Sequence, residues 1–343
     1  MEMEFEKNSG NWNYFAGFGQ TSEDYNENDL GFSTRTNFRE FGLGGSFNRY
    51  KPFSIFNELS AWSNIETTRL MNPGSFVRTD FELGGYAQTK SFLNLNPWLN
   101  LSSESNDYWE PRRDGRYLKT PAIINGGLWI GTDNRKKLRL STSVWAYNVN
   151  ESGRNGYGIN FGPRMRFNDK FTISTHTRFS RQYKDTGWVG DGANDEIFIG
   201  QRTRDVLQNR INVFYNISST MGINARVRHY WFKANYTDFY ELTLDGLLQE
   251  TDLSDIPDFT EQFFNVDLNF NWRFAPGSDI ILNWKNSISG RAEGFNSAET
   301  NWNYRKGINE LNDLPTQNSV SLKIVYYLDY AMMRHNMKQK REN

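Results

Sequence analysis

The chain has 343 residues, 16% of them aromatic, with a mean hydropathy of -0.74 and a formal net charge of -1. The balanced charge provides no basic field for nucleic acid, and the absence of cysteine excludes disulfides and thiol chemistry. No run of about 18 uncharged apolar residues is present, which excludes a transmembrane helix.

The length allows either one large barrel or two ordinary domains. Many large rings combined with many polar residues are typical of transmembrane strands, whose lumen-facing half is polar and whose rings gather at the membrane interfaces. An aromatic-rich extracellular β-sandwich or lectin has a similar composition. Composition therefore leaves these two classes open.

The first half of the chain is predicted to consist of long strands. Residues 1–7 have neither the basic start nor the apolar run of a signal peptide, and they already alternate like a strand. We therefore expect the sequence to begin inside a longer precursor. The strands predicted here cover residues 1–7, 12–20, 30–49, 53–67, 76–89 and 92–105.

The second half continues the same pattern, most clearly in the hairpin at 261–290. There Phe264, Val266 and Leu268 alternate with polar residues such as Asn265 and Asp267, which predicts one apolar and one polar face. Long polar loops are predicted at 184–205, 236–261 and 291–315. The remaining predicted strands are 122–132, 138–149, 157–167, 171–183, 207–217, 221–231 and 320–330.

The connections favour a membrane barrel over a sandwich. Short turns at one end and long loops at the other are typical of outer-membrane barrels, and strands above about 10 residues suit a tilted membrane crossing. We therefore predict an all-β, antiparallel up-and-down transmembrane β-barrel of about 14–16 strands over residues 1–330, with short periplasmic turns and long extracellular loops. Residues 331–343 would form a short periplasmic tail. The tight reversals fall at 8–10, 50–52, 90–91, 133–136, 168–170, 218–220 and 275–278.

Four segments resemble a known family: 108–117 (YWEPRRDGRY), 133–137 (DNRKK), 221–231 (MGINARVRHYW) and 321–330 (SLKIVYYLDY). The family comprises Bacteroidetes-type outer-membrane proteins in which a signal peptide and a carbohydrate-binding-module-9-like domain precede a barrel domain of unknown function. The resemblance covers the barrel part. It implies a location in the bacterial outer membrane and a link to glycans, and it implies no catalytic residues.

The loop at 106–120 is the first candidate binding site. It combines aromatic rings with charged side chains that could hold a sugar or an anionic ligand. The alternative, which is favoured, is an internally salt-bridged loop that folds over the barrel mouth. The candidate residues are Tyr108, Trp109, Glu110, Arg112, Arg113, Arg116 and Tyr117.

The acidic, glycine-rich loop at 190–196 is a candidate calcium site, with Asp191, Asn194 and Asp195 as oxygen ligands. Its spacing does not match an EF-hand, so a metal-free loop is favoured. The three histidines have no spacing that suits zinc. No catalytic motif is recognised, so the chain is predicted not to be an enzyme and to need no cofactor.

Arginines in the predicted lumen-facing register form the last candidate site. They would tune permeation through an open barrel and would neutralise nearby acids, such as Asp80, Glu82 and Asp267, in a plugged one. The wall consists of Arg164, Arg166, Arg178, Arg210, Arg226, Arg228 and Arg273.

The leading hypothesis is a non-catalytic outer-membrane barrel that binds or passes an extracellular, glycan-related ligand. Its partners would be outer-membrane lipid, an extracellular glycan or other outer-membrane proteins, and not nucleic acid. One alternative is a plugged barrel that anchors an upstream domain. The other is a soluble β-sandwich lectin or glycosidase.

Overall fold

The computed structural model describes residues 1–25, 35–251, 253, 256–293 and 304–328, and these are almost entirely antiparallel β-structure. One short α-helix, α1, spans Tyr304–Asn309 and is followed by a 3-10 turn at Leu311–Asp313. The strands are Glu2–Lys7 (β1), Trp12–Thr21 (β2), Phe38–Arg49 (β3), Phe56–Leu70 (β4), Phe76–Thr89 (β5), Asn94–Ser102 (β6), Ser105–Asp107 (β7), Leu118–Thr120 (β8), Ile123–Gly131 (β9), Leu138–Arg139 (β10), Ser141–Val149 (β11), Asn155–Phe161 (β12), Arg164–Arg166 (β13), Phe171–Asp191 (β14), Ile197–Ser218 (β15), Met221–Leu242 (β16), Leu248–Glu250 (β17), Phe259–Ala275 (β18), Ser278–Glu293 (β19) and Thr316–Val325 (β20).

The strands form one large meander in which each long strand pairs with the next. Eighteen strands belong to this sheet, while β7 and β8 form a separate two-stranded sheet. The pairs β10–β11 and β12–β13 each act as one interrupted strand, and β17 is a short strand that pairs antiparallel with the end of β16. Counted this way, the described residues form fifteen successive strands from β1 to β20, so the predicted all-β antiparallel fold is confirmed.

The outer strands of the meander are β1 and β20. Among the described residues no pairing joins these two strands to each other. The part of the predicted strand 30–49 before residue 35 overlaps residues outside the described ranges. The same holds for the end of the predicted strand 320–330 and for the predicted tail at 331–343.

The register gives the sheet an apolar face and a polar face. In the β18–β19 hairpin, Phe270 lies opposite Leu282 and Leu268 opposite Trp284, while Asp267 lies opposite Lys285 on the other face. Since side chains alternate between faces and the pairing is in register, this division continues from strand to strand. The two-faced hairpin predicted from the sequence is therefore present, and we call its two sides the apolar face and the polar face.

Tight turns close one end of the sheet, which we call the turn end. All seven predicted reversals fall between consecutive long strands. At 168–170 the side chain of Asn168 makes the turn itself, because its Oδ1 accepts hydrogen bonds of 2.9 Å from the backbone N–H groups of Lys170 and Phe171. At 275–278 the reversal uses Gly277 with a φ of 71°.

Another turn is held by an ion pair between Asp133 and Arg135. The guanidinium donates to both carboxylate oxygens, at 2.9 and 2.8 Å, and the Arg135 N–H donates to Oδ1 at 2.9 Å. These hydrogen bonds lower the pKa of Asp133 to about 2. The turn is thus stabilised by its own residues.

The other end, the loop end, differs from the sequence prediction at β14, β15 and β16. β14 extends to Asp191, β15 begins at Ile197 and β16 extends to Leu242. Most of the loop predicted at 184–205 and the first part of the loop predicted at 236–261 are therefore strand. Register shifts between β14 and β15 and between β15 and β16 interrupt the strict alternation there. Because the sequence prediction relied on strict alternation, it placed the ends of these strands too early.

The main cluster of buried apolar residues also lies at the loop end. It contains Leu118, Ile197, Ile199 and Leu242, with Trp188 and Leu248 packed against it. This cluster joins the tips of the extended strands to the segment after β7.

Several glycines in the strands are explained by aromatic rings on the polar face. A Cβ at Gly158 would lie 2.6 Å from Cε2 of Trp145, its neighbour across β11 and β12. The ring therefore occupies the space above the glycine. Trp98 and Gly127 form a similar pair across β6 and β9.

Candidate functional site

The loop between β6 and β9, residues 103–122, is held together by its own contacts. Asp107 Oδ1 accepts hydrogen bonds of 2.9 and 3.0 Å from the backbone N–H groups of Trp109 and Glu110. The rings of Tyr108 and Tyr117 pack with centroids 5.2 Å apart. The aromatic candidates predicted from the sequence thus belong to a compact loop, which we call the bridging loop.

Adjacent residues of the bridging loop contact strands that are far apart in the sheet. Trp109 packs edge-on against Phe38 of β3, with ring centroids 6.5 Å apart. Glu110 Oε1 accepts a hydrogen bond of 2.7 Å from the backbone N–H of Trp188 in β14. These strands are seven steps apart in the meander, and about 4.8 Å per step would separate them by about 34 Å in a flat sheet. Two neighbouring side chains cannot span that distance, so the sheet is strongly curved.

Arginines fasten the bridging loop to the tips of β14 and β16. Arg112 lies over the ring of Trp188, with its guanidinium 4.1 Å from the ring centroid. Arg116 Nη2 donates hydrogen bonds to the carbonyl oxygens of Leu242 and Thr243, at 2.5 and 3.1 Å. These two predicted ligand-binding arginines therefore already have protein partners.

The two loops proposed as separate sites meet at Arg113. Its guanidinium forms ion pairs with Asp191, at 3.3 Å, and with Asp195. Asn194 lies in the same turn between β14 and β15. Within the described ranges no group of three or more His, Cys, Asp or Glu residues is arranged to hold a metal ion. Arg113 supplies positive charge to these carboxylates, and calcium binding there stays a prediction.

The turn between β16 and β17 also contacts the bridging loop. The backbone N–H of Lys119 donates to the carbonyl of Gly246 at 2.9 Å. In that turn the Thr243 hydroxyl donates to Asp245 Oδ1 at 2.6 Å, and this hydrogen bond lowers the pKa of Asp245. At the loop end, the bridging loop therefore contacts both the turn between β14 and β15 and the turn between β16 and β17.

The arginine wall is brought together on the polar face, mainly on β14, β15 and β16. Arg210 lies directly opposite Arg228, and His176 lies opposite Arg210 on its other side. Arg178 and Arg226 occupy neighbouring positions on the same face. By their register these arginines share the polar face, and a lumen-wall role stays a prediction.

The remaining members of the wall lie nearer the turn end. Arg164 and Arg166 are on β13, where their guanidinium groups donate to the carbonyls of Asn134 and Arg135, at 3.1 and 3.4 Å. Arg273 is at the end of β18 and pairs with Asp279 at 3.2 Å. These three side chains are therefore occupied by the turns beside them.

Acidic residues on the polar face of β1, β3 and β4 were not singled out from the sequence. Glu40 lies next to the row formed by Glu66 and Asp80, which are directly opposite each other on β4 and β5. Glu2, Glu4 and Glu6 alternate along β1. The alternation in the sequence shows which residues of a single strand share a face. Only the pairing of the strands shows that the acids of different strands lie on the same face.

Comparison with family models identifies the chain. The model for a domain of unknown function, DUF5916, matches residues 1–337. The chain belongs to this family. A comparison with curated proteins finds no match. DUF5916 thus describes nearly the whole chain without assigning it an activity.

No helix among the described residues of this DUF5916 chain is long and apolar enough to cross a membrane.

Proposed function

We propose that this chain forms a β-barrel domain in the bacterial outer membrane which binds or passes an extracellular ligand without catalysing a reaction. The observation that carries the proposal is the exposure of apolar-face side chains on early, middle and late strands of the sheet. Leu43, Ile159 and Val320, from early, middle and late strands, are 60%, 47% and 69% exposed. Apolar surface this extensive is rare on soluble monomers and is expected where lipid is the solvent.

The length of the apolar stretch along β14 suits a membrane crossing. Phe171 to Phe179 is a stretch of nine residues whose apolar-face side chains are Phe, Ile and Thr. Beyond it, Arg181 and Asp205 form a bidentate ion pair of 2.6 and 2.8 Å on the same face. A tilted membrane strand needs about 9–11 residues, so the change from apolar to charged residues falls where the membrane would end.

Aromatic rings cluster at the turn end of the apolar face. Phe167 stacks on Phe171 with ring centroids 5.1 Å apart, and Phe274 contacts both Trp272 and Tyr326, at 5.9 and 6.2 Å. Trp272 and Phe274 are 37% and 36% exposed, and no second sheet covers them in the described part of the chain. Rings in this position suit a membrane interface and do not suit a sandwich core.

Curvature and loop distribution support the barrel form. The bridging loop contacts both β3 and β14, which a flat sheet would keep apart. We propose that the sheet closes into a barrel, that the barrel lies in the outer membrane and that it takes a ligand. A glycan ligand, an upstream carbohydrate-binding module and outer-membrane partner proteins stay predictions from the family resemblance.

Detergent dependence tests the membrane assignment. We expect the purified chain to need detergent and to migrate on gels at different positions before and after heating, because folded barrels resist unfolding in detergent. A protein that is monodisperse without detergent and shows no heat-dependent shift would contradict the assignment.

Paired substitutions at adjacent positions of β18 test which face contacts lipid. Leu268→Arg places a charge on the apolar face and should destabilise the membrane-inserted form by about 2–4 kcal/mol. Asn269→Arg, on the polar face between Asn224 and Asn283, should be tolerated. The measurement is the fraction inserted into lipid vesicles across a urea titration. Equal effects of the two substitutions would show that the apolar face is not the lipid face.

A plugged anchor is the second candidate, and the bridging loop favours it. That loop is fastened at Trp109, Glu110 and Arg113 to different parts of the sheet, as a plug would be. Conductance across a planar bilayer separates the two functions. Stepwise ion conductance supports passage, whereas heat-modifiable protein that conducts no ions supports the anchor.

A further inference from the structure

The polar face is divided into two sectors of opposite charge. On β1 to β5 it carries acids, with Arg78 as the basic residue among them. On β13 to β16 it carries arginines, with Asp185 beside Arg204 as the acid among them. The acidic sector comprises Glu2, Glu4, Glu6, Glu40, Glu58, Glu66, Asp80 and Glu82, and the basic sector comprises Arg164, Arg166, Arg178, Arg204, Arg210, Arg226 and Arg228.

The centre of the basic sector is a row across three strands, His176, Arg210 and Arg228, which we call the basic row. The register places each directly opposite the next. Like charges directly opposite each other on paired strands destabilise a sheet. A wall that only needed to be neutral would alternate acids with these arginines, so the row requires an explanation.

The protein neutralises the basic row only in part. Arg228 Nη2 pairs with Asp267 at 2.7 Å. Arg210 and Arg178 form no ion pair with any described residue, and Arg226 donates to the amide oxygen of Asn212 at 3.0 Å. One carboxylate therefore faces four guanidinium groups.

A cavity of 230 Å³ lies at the basic row. Since a water molecule takes about 30 Å³ in the liquid, this volume holds several waters or a small solute. The lining has many hydrogen-bond donors, in the guanidinium, amide and hydroxyl groups, and it includes no carboxylate. Its polar members on this face are His176, Gln208, Arg210, Arg228, Tyr230 and Asn265.

We propose that this cavity binds the oxyanion group of a small solute, a carboxylate, phosphate or sulfate, between Arg210 and Arg228. Guanidinium groups present paired N–H donors that match the two oxygens of such a group. The bound anion offsets the repulsion between the arginines, and Asp267 holds Arg228 in place. The inference rests on the proposed ligand-binding function and names the chemical class of its ligand.

Inorganic phosphate is the probe for the test, titrated into the folded protein in detergent at constant ionic strength, with thermal unfolding as the readout. We expect a saturable rise in the melting temperature. Arg210→Gln should weaken the apparent affinity at least tenfold. In the absence of phosphate, Arg210→Gln should also raise the melting temperature, because it removes one of the two positive charges that face each other. Arg210→Lys keeps the charge but loses the paired donors, and should bind with intermediate affinity.

Arg273→Gln is the matched control, because it removes the same charge from the polar face at the turn end and should leave phosphate binding within twofold. Heat-dependent gel mobility reports folding of every variant separately. A folded wild type without a saturable phosphate response would overturn the oxyanion site, as would Arg210→Gln and Arg228→Gln variants that bind like the wild type. Loss of heat-dependent mobility in the wild type itself would instead contradict the proposed barrel.

Discussion

The turn end and the loop end of the sheet are stabilised by different kinds of contact. At the turn end, Asn168 and Asp133 bond to atoms no more than three residues away. At the loop end, Glu110 and Trp188 are 78 residues apart, and Arg116 and Leu242 are 126 apart. Closing such long segments costs more chain entropy than closing a turn. The turn end can therefore form strand by strand, whereas the loop end depends on the assembled sheet.

The buried cluster at the loop end should give the largest effect. Ile197 is fully buried there, so Ile197→Ala should cost about 2–5 kcal/mol through the lost burial and the cavity that remains. The matched control is Ile217→Ala, in the same strand at the turn end, where the side chain is 37% exposed.

Hydrogen exchange can localise the effect of Ile197→Ala. We expect faster exchange in the bridging loop and at the tips of β14 to β16, with the turn end unchanged. If both ends lost protection equally, the turn end would not be stabilised independently of the loop end.

A single turn should give a smaller effect. Asn168→Ala removes the side-chain oxygen that accepts two backbone hydrogen bonds and should cost about 1 kcal/mol, comparable to the loss of a helix cap. Asn168→Asp keeps the acceptor and should retain most of the stability. Urea unfolding of the detergent-folded protein measures both, and a loss as large as that of Ile197→Ala would contradict a purely local role.

The Asp133 turn should give the smallest effect, and one that depends on pH. The pKa of Asp133 is about 2 in the fold and about 3.9 in an unfolded chain. Its carboxylate therefore stabilises the fold above pH about 4, and this contribution disappears as the pH falls through about 2.

Asp133→Asn should accordingly lower the melting temperature at pH 7 and match the wild type near pH 2. Asp169→Asn is the control, since that carboxylate forms no ion pair with the described residues. A difference between Asp133→Asn and the wild type that stays constant with pH would exclude the ion pair as its cause.

Sequence alone predicted the turn end well because the determining residues are neighbours. Asn168 and Gly277 act on the turn in which they lie, and the alternation of Phe264, Val266 and Leu268 needs only a strand period of two. The all-β antiparallel meander and its seven reversals follow from such local features.

The loop end could not be predicted in this way. Lys184, with a φ of 50°, lies where the register of β14 shifts, so the alternation stops although the strand continues. Arg113 and Asp195 are 82 residues apart, and the sequence does not show that they meet. The partners of the candidate residues depend on the curvature of the whole sheet, which local sequence patterns do not show.

The pairing of Trp145 with Gly158, and of Trp98 with Gly127, bears on the bore of the proposed barrel. A tryptophan that projected straight from the wall would narrow the passage by nearly the length of its ring. Because each ring occupies the space that a neighbouring Cβ would fill, it lies against the wall, and in the proposed barrel it would leave a wider passage than a projecting ring. In the proposed barrel these rings would form an aromatic strip of the wall between the acidic and the basic sectors.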